Sequence, residues 1–136
     1  MARIKYNADM MQYIALFESL TGAKVKDCIA DGTLIFVVHE NEMGKAIGKH
    51  GANIKKAGSI LNKKIRVIEF SNDVCRFVRN IIYPTEAEVD EEEGIINIHG
   101  NDTKTKGMLI GRDRSNIKLI NDIVKRYFNV QEVKVV

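Results

Sequence analysis

Residues 44–55 read GKAIGKHGANIK, and residues 107–118 read GMLIGRDRSNIK. At a constant offset of 63 residues the two stretches share Gly, Ile, Gly, Asn, Ile and Lys at the same places. A repeat of this length exceeds the unit of a solenoid, so it indicates two tandem copies of one small domain. In both copies a glycine turn leads directly into a basic amphipathic helix, whose first backbone N–H groups can form an anion-binding site.

The length and composition are those of a small globular protein. The 136 residues suit one ordinary domain or two small ones, and 45% of them are apolar. No apolar run approaches the length of a membrane span, and no apolar signal segment follows the first residues. Cys28 and Cys75 lack metal-ligand spacing, which indicates buried thiols in a reduced compartment. We therefore expect a cytoplasmic protein without a membrane partner.

The net charge of +3 is unevenly distributed along the chain. Residues 86–93 contain six acidic side chains and no Lys or Arg, whereas residues 43–66 contain no acidic side chain. The basic side chains of that second window are Lys45, Lys49, Lys55, Lys56, Lys63, Lys64 and Arg66. Such a stretch indicates polyanion binding. The alternative is a solvated lysine-rich helix face, although such a face usually includes Glu at i,i+4 spacing.

Hydrophobic periodicity and turn residues predict the same order of elements in both halves. The first half is predicted as a helix at 10–20 ended by Gly22, strands at 24–30 and 33–39, helices at 41–47 and 52–62, and a strand at 64–70. The second half is predicted as a helix ended by Pro84, strands at 85–89 and 95–100, helices at 103–110 and 115–127, and a strand at 130–136. We interpret the acidic residues 91–93 as part of a solvated hairpin turn, with a cation site or protein docking as alternatives.

The sequence IGKHG at 47–51, between two predicted helices, resembles the glycine loop of the K-homology (KH) RNA-binding domain, whose signature is G-x-x-G. The leading helix, the late glycine loop and the closing strand resemble the type II form of this domain. The resemblance implies an α+β fold with two tandem type II KH domains, at residues 1–70 and 71–136. Each is expected to hold a three-stranded mixed sheet covered on one face by three helices.

Three longer stretches look like the archaeal form of the NusA transcription factor family. They are EMGKAIGKHGANIKK at 42–56, KKIRVIEF at 63–70 and DVCRFVRNIIYP at 73–84. This resemblance covers nearly the whole chain. It implies RNA binding in transcription elongation or termination.

The KH resemblance assigns RNA-binding roles around the first loop, since such loops clamp the backbone of about four nucleotides. Gly48 and Gly51 would let a phosphate approach without a Cβ clash, and Lys49 and His50 would face outward. The candidate RNA-binding residues are Lys45, Ile47, Gly48, Lys49, His50, Gly51, Asn53, Ile54, Lys55 and Lys56. The alternative is a helix–turn–helix junction without a ligand, and Ile54 suits pure core packing equally well.

The second loop departs from the KH pattern. Arg114 stands where the second glycine belongs, and Asp113 stands where a phosphate would pass. Arg112 and Arg114 offset this in part because guanidinium groups bind phosphate with two parallel hydrogen bonds. The candidate residues of this loop are Gly111, Arg112, Arg114, Asn116 and Lys118. The alternative is a structural copy that positions the first unit.

The resemblance implies a non-catalytic, monomeric protein that binds single-stranded RNA, with the nascent transcript as its main partner. RNA polymerase and other transcription factors are further candidate partners. We predict no catalytic residues, metal site or cofactor, since no spacing signal brings the scattered histidines or a nucleophile together. Two other functions stay open: a ribosome-associated KH protein that binds ribosomal RNA, and a protein-interaction adaptor with weak RNA binding.

Overall fold

The computed structural model describes residues 8–136. The chain forms two compact units that divide between Phe70 and Ser71, and the first seven residues of the predicted first domain lie outside the described part. Each unit is described separately below.

The first unit has the predicted order of helices and strands. Its elements are α1 (Ala8–Thr21), β1 (Val25–Asp31), β2 (Thr33–Val38), α2 (Met43–Ile47), α3 (Ala52–Leu61) and β3 (Ile65–Glu69). β2 lies at the centre of the sheet, antiparallel to β1 and parallel to β3, and its largely apolar sequence suits a strand that is buried on both faces. α2 begins two residues later than predicted because Asn41 has a positive φ of 68°, which cannot continue into a helix.

The core of the first unit lies between its sheet and its helices. The rings of Phe17 on α1 and Phe36 on β2 stack with their centroids 4.2 Å apart, and both side chains are fully buried. Ala46 on α2 and Ala57 on α3 are buried as well. Small side chains at these positions let the two helices flanking the glycine loop lie close to the sheet.

The second unit repeats this order. Its elements are α4 (Val74–Ile82), β4 (Glu88–Glu92), β5 (Ile95–His99), α5 (Thr103–Ile110), α6 (Ser115–Tyr127) and β6 (Glu132–Val135). β5 is central, antiparallel to β4 and parallel to β6. Asp73 caps α4 by accepting hydrogen bonds from the backbone N–H groups of Cys75 and Arg76, which stabilises the start of this helix. The predicted α+β class with mixed three-stranded sheets is therefore confirmed.

The hairpin of the second unit differs from the prediction. The first strand starts at Glu88, and the turn contains only Glu93 and Gly94, with φ angles of 52° and 83°. Positive φ at both central residues is the pattern of a two-residue type I′ turn. The interpretation of residues 91 and 92 as turn residues was therefore wrong, because both lie in β4 and pair with β5.

Within the described part of the chain, none of the helices is both long enough and apolar enough to cross a membrane.

Candidate nucleic-acid interface

The first glycine loop is a tight turn between α2 and α3, built from unusual backbone conformations. Gly48 (φ 76°, ψ 173°), His50 (φ 55°, ψ 29°) and Gly51 (φ 75°, ψ 16°) all have positive φ. Backbone hydrogen bonds close the turn, from Gly48 N to Gly44 O at 2.9 Å and from Gly51 N to Gly48 O at 3.1 Å. This geometry presents the residues between the glycines to solvent, where Lys49 and His50 are exposed.

Asn53 fixes the loop against the preceding helix. Its Nδ2 donates a hydrogen bond to the backbone oxygen of Lys45 at 2.7 Å. A Cβ atom added at Gly48 would lie 2.7 Å from Asn53 Cγ and 2.9 Å from Asn53 N, which is a steric clash with the backbone. Gly48 is therefore required by close packing as well as by its φ angle, and the Asn53 amide already has a structural partner in addition to its predicted role toward RNA.

The predicted cations around the first loop fall into two groups. Lys55 and Lys56 on α3 are exposed, as is Lys49. Lys45 is also exposed but its Nζ lies 3.7 Å from Glu42 Oε2, so part of its charge is neutralised locally. Glu42 was not predicted as a partner of Lys45, although a Glu three residues before a Lys in a helix is a recognised pairing signal.

Arg66 does not belong to this basic surface. It alternates along β3 with Val67, which packs in the core cluster under the helices, so its side chain leaves from the opposite face of the sheet. Burial lowers the pKa of its guanidinium group. Of the basic window of residues 43–66, Lys49 lies in the loop and Lys55 and Lys56 lie on the helix that follows it, whereas Arg66 lies on the sheet.

Two apolar candidates border the loop of the first unit. Ile47 and Ile54 are half-buried and pack against the core cluster. Each side chain therefore contributes to the core and also exposes apolar surface beside the loop. This arrangement is compatible with both interpretations of Ile54, as a core residue and as a residue that contacts bases.

The second loop has the same backbone conformation as the first despite its different sequence. Gly111 (φ 77°, ψ 168°), Asp113 (φ 53°, ψ 31°) and Arg114 (φ 64°, ψ 18°) match the corresponding residues of the first loop within about 11°. Asn116 Nδ2 donates to the backbone oxygen of Leu109 at 2.8 Å, and Arg114 N donates to Gly111 O at 3.1 Å. Replacement of the second glycine by Arg therefore leaves the path of the loop unchanged.

The side chains around the second loop differ from those around the first. Arg112, Asp113, Arg114 and Lys118 are exposed, so a carboxylate lies in sequence between two guanidinium groups. Met108, at the position that corresponds to Lys45, is 58% exposed and was not singled out from sequence. The second loop thus has cations that can bind a phosphate backbone, but the negative charge of Asp113 lowers its positive electrostatic potential.

Both loops lead into helices whose first turns lack a side-chain cap. The N-cap positions of α3 and α6 are Gly51 and Arg114, and neither provides a side-chain hydrogen bond. The helix dipole favours negative charge at both helix starts, although the N–H groups of Ala52 and Ser115 donate within the turns, to the backbone oxygens of Lys49 and Arg112. Both loops therefore combine a helix start without a side-chain cap with exposed cations.

The described residues contain neither a cluster of metal ligands nor a thiol with a lowered pKa. No group of three or more His, Cys, Asp and Glu side chains within residues 8–136 is arranged to hold a metal ion. Burial and then the neighbouring Asp27 raise the pKa of the Cys28 thiol to about 12. Burial likewise raises the pKa of Cys75, which is only partly buried. Raised thiol pKa values disfavour the reactive thiolate.

Comparison with known protein families identifies a KH domain. The family model described as KH domain matches residues 11–99, which is more than half of the chain. The match includes the first glycine loop and ends before the second loop. It therefore supports the KH assignment of the first loop more directly than that of the second.

Curated relatives extend the similarity over almost the whole chain. The probable transcription termination protein NusA of Methanococcus vannielii is 38% identical over 143 residues, which cover 98% of this chain and 80% of that protein. The protein of the same name from Thermoplasma acidophilum is 33% identical over 140 residues, covering 99% and 97%. The chain belongs to the archaeal NusA-like family of KH proteins. This NusA-like assignment agrees with the resemblance of residues 42–56, 63–70 and 73–84.

A solved structure has the same fold over the same length. The crystal structure of APE1850 aligns with the NusA-like chain at a TM-score of 0.76 and 33% sequence identity, covering 96% of this chain and all of that one. The fold of this chain therefore recurs in an experimentally determined protein.

Proposed function

We propose that this chain is a non-catalytic protein that binds single-stranded RNA and acts in transcription elongation or termination. The first loop would grip the RNA backbone at Gly48–Gly51. Lys49, Lys55 and Lys56 would neutralise phosphates on either side of the gripped position. Arg112, Arg114 and Lys118 would bind phosphates at the second unit.

The observation that carries this proposal is the geometry of the first loop. Three of its four residues have positive φ, the helix that follows has no side-chain cap, and the intervening Lys49 and His50 are exposed. A backbone held in such conformations by surrounding contacts is typical of ligand-binding sites. An anion is the ligand that suits a helix start without a side-chain cap that is surrounded by positive charge.

We further propose that each of the two units is a KH domain, with residues 71–136 forming a second domain whose loop is degenerate in sequence. The support is the equal backbone conformation of the two loops and the equal order of elements. We propose that the protein is monomeric and cytoplasmic, as expected from the sequence.

The proposed role in transcription rests on the names of the relatives, which are called probable transcription termination proteins. We infer from this that the RNA partner is a nascent transcript. RNA polymerase or other transcription factors are then the protein partners to test by co-purification.

The test is a fluorescence-anisotropy titration of short single-stranded RNAs at two salt concentrations. The variant Lys49→Asp/His50→Asp puts negative charge on the first loop without changing its glycines. Its matched control is Lys24→Asp/His39→Asp, which makes the same two substitutions at exposed positions of the first unit outside the loop. We expect the loop variant to bind at least 10-fold more weakly, since each lost phosphate contact removes about 1 kcal/mol or more, and the control to bind like the wild type.

Equal binding by the wild type and a folded loop variant would show that the first loop is not the RNA clamp. A wild type that comigrates with ribosomal subunits in lysate gradients would instead favour ribosomal RNA as the ligand. The second candidate function is a protein-interaction adaptor with weak RNA binding, which the exposed Asp113 in the second loop favours. It would be supported if no RNA bound at low salt while a protein partner co-purified.

A further inference from the structure

The second sheet has one buried face and one exposed polar face. In β5, Ile96 and Ile98 are fully buried, whereas Asn97 and His99, which alternate with them, are partly exposed. In β2 of the first sheet, by contrast, every residue from 34 to 38 is buried. The polar face of the second sheet is therefore a surface that the described part of the chain leaves open.

This open face is concave. It carries a shallow depression of about 710 Å³. The residues of the depression that matter here are Asp90, Glu92, Glu93, Asn97, His99 and Lys134. Val136, which is 40% exposed, adds apolar surface at one side.

Asp90 is held in place at the centre of this face. Its Oδ1 accepts a hydrogen bond from Asn97 Nδ2 at 3.1 Å, and its Oδ2 lies 2.5 Å from His99 Nε2. The hydrogen bonds from Asn97 and His99 keep the pKa of the Asp90 carboxyl below its ordinary value. The carboxylate therefore stays charged near neutral pH, and its orientation is fixed before any partner arrives.

The charge of the exposed face of the second sheet indicates which kind of partner can bind there. Glu88, Asp90 and Glu92 occupy alternate positions of β4, so their side chains leave from the same side of the sheet about 7 Å apart. Lys134 on β6 is the cation that lines the same depression. Carboxylates repel the phosphates of nucleic acid and attract Lys and Arg, so charge complementarity favours a basic protein segment.

β4 also offers an edge to such a segment. It lies at the end of the second sheet, where β5 is its one hydrogen-bonded strand neighbour among the described residues. A peptide in extended conformation can add to an exposed sheet edge, with main-chain hydrogen bonds supplying affinity and alternate side chains supplying specificity. Alternate basic side chains would meet the alternate carboxylates of β4, because both strands repeat every second residue.

We propose that the exposed face and the β4 edge of the second sheet form a docking surface for an extended segment of a partner protein that is rich in Lys and Arg. This surface is separate in sequence from both glycine loops, so its occupation does not require RNA. It would give the protein a second binding function, toward a basic protein.

The test uses the full chain and a fluorescein-labelled peptide of eleven residues in which Lys and Val alternate, with a Glu and Val peptide as its charge-reversed control. Binding is measured by anisotropy at low salt, and the contact surface by amide chemical-shift changes in NMR spectra. The variant Asp90→Asn/Glu92→Gln removes two charges from the surface. Its matched control, Asp31→Asn/Glu40→Gln, removes two charges from exposed positions of the first unit.

We expect the basic peptide to shift resonances of β4 and β5, and the surface variant to bind it at least 10-fold more weakly than the control variant does. The loop variant Lys49→Asp/His50→Asp should bind the peptide as the wild type does, which separates this proposal from RNA binding. Equal affinity of the surface and control variants would overturn the proposal, as would shifts spread over all acidic residues or an absence of binding. Salt-sensitive self-association that the surface variant abolishes would also overturn it, by assigning the surface to a second copy of the chain.

Discussion

Arg114 adopts a left-handed backbone conformation at the position that Gly51 occupies in the first unit. Their dihedral angles are φ 64°, ψ 18° and φ 75°, ψ 16°. A residue with a Cβ atom is strained in this region, whereas glycine is not. The surrounding hydrogen bonds of the loop, including the one from Asn116 to Leu109, hold Arg114 there. The strain at this residue is therefore offset by the packing of the loop.

A reciprocal pair of substitutions tests this strain. Arg114→Gly should stabilise the protein by about 1 kcal/mol, and Gly51→Arg should destabilise it by a similar amount, because the backbone conformation is the same at both positions. Urea denaturation followed by circular dichroism gives both values. Arg112→Gly is the matched control, and it should be destabilising because Arg112 has no positive φ. A destabilising Arg114→Gly would contradict the assignment of strain.

At the scale of single elements, α5 begins at a side-chain cap that titrates. Asp102 precedes this helix and its Oδ1 accepts a hydrogen bond from Thr105 N at 2.7 Å. The bond from the Thr105 backbone holds the pKa of the Asp102 carboxyl below its ordinary value. Because α5 leads into the second loop, the stability of the start of α5 also affects the stability of that loop.

Asp102→Ala should lower the urea midpoint at pH 7, since it removes the cap. A carboxyl whose pKa is lower in the folded state contributes stability above its unfolded pKa and loses it as the pH falls through the folded value. The difference between the wild type and Asp102→Ala should therefore shrink below about pH 4. Asp102→Asn retains a capping group that does not titrate, so it should remain close to the wild type at pH 7. A difference between wild type and Asp102→Ala that did not change with pH would contradict this account.

At the scale of the whole molecule, the separation of charge along the chain determines how binding responds to salt. Lys55 and Lys56 lie on α3 and Lys49 lies just before it, whereas four acidic residues, Glu88 and 90–92, lie on β4. An RNA that follows the basic surface releases one set of counterions for each phosphate that is neutralised. The slope of log affinity against log salt concentration therefore reports how many protein cations contact the phosphates of the RNA.

Lys55→Ala/Lys56→Ala should reduce this slope, on double-logarithmic axes, by about 1.4, because each phosphate contact with a single strand contributes about 0.7. The measurement is RNA affinity at four or more salt concentrations between about 50 and 300 mM. Lys24→Ala/Lys125→Ala is the matched control, since both lysines are exposed and lie outside the loops. An unchanged slope in the Lys55→Ala/Lys56→Ala variant would remove these two lysines from the RNA-binding surface.

The sequence by itself determined the order of elements and the position of the first loop, because helical periodicity and turn glycines depend on residues within a few positions of one another. The repeat at an offset of 63 residues indicated that this order occurs twice. The fold class followed from the resemblance to KH domains.

The tertiary structure decided which charges act together and which strand residues are exposed. It paired Lys45 with Glu42, turned Arg66 to the opposite face of its sheet, and placed residues 91 and 92 in β4 instead of a turn. It also gave Arg114 the backbone conformation of a glycine. Each of these outcomes depends on strand register or on contacts between separate elements, and neither charge counting nor residue type contains that information.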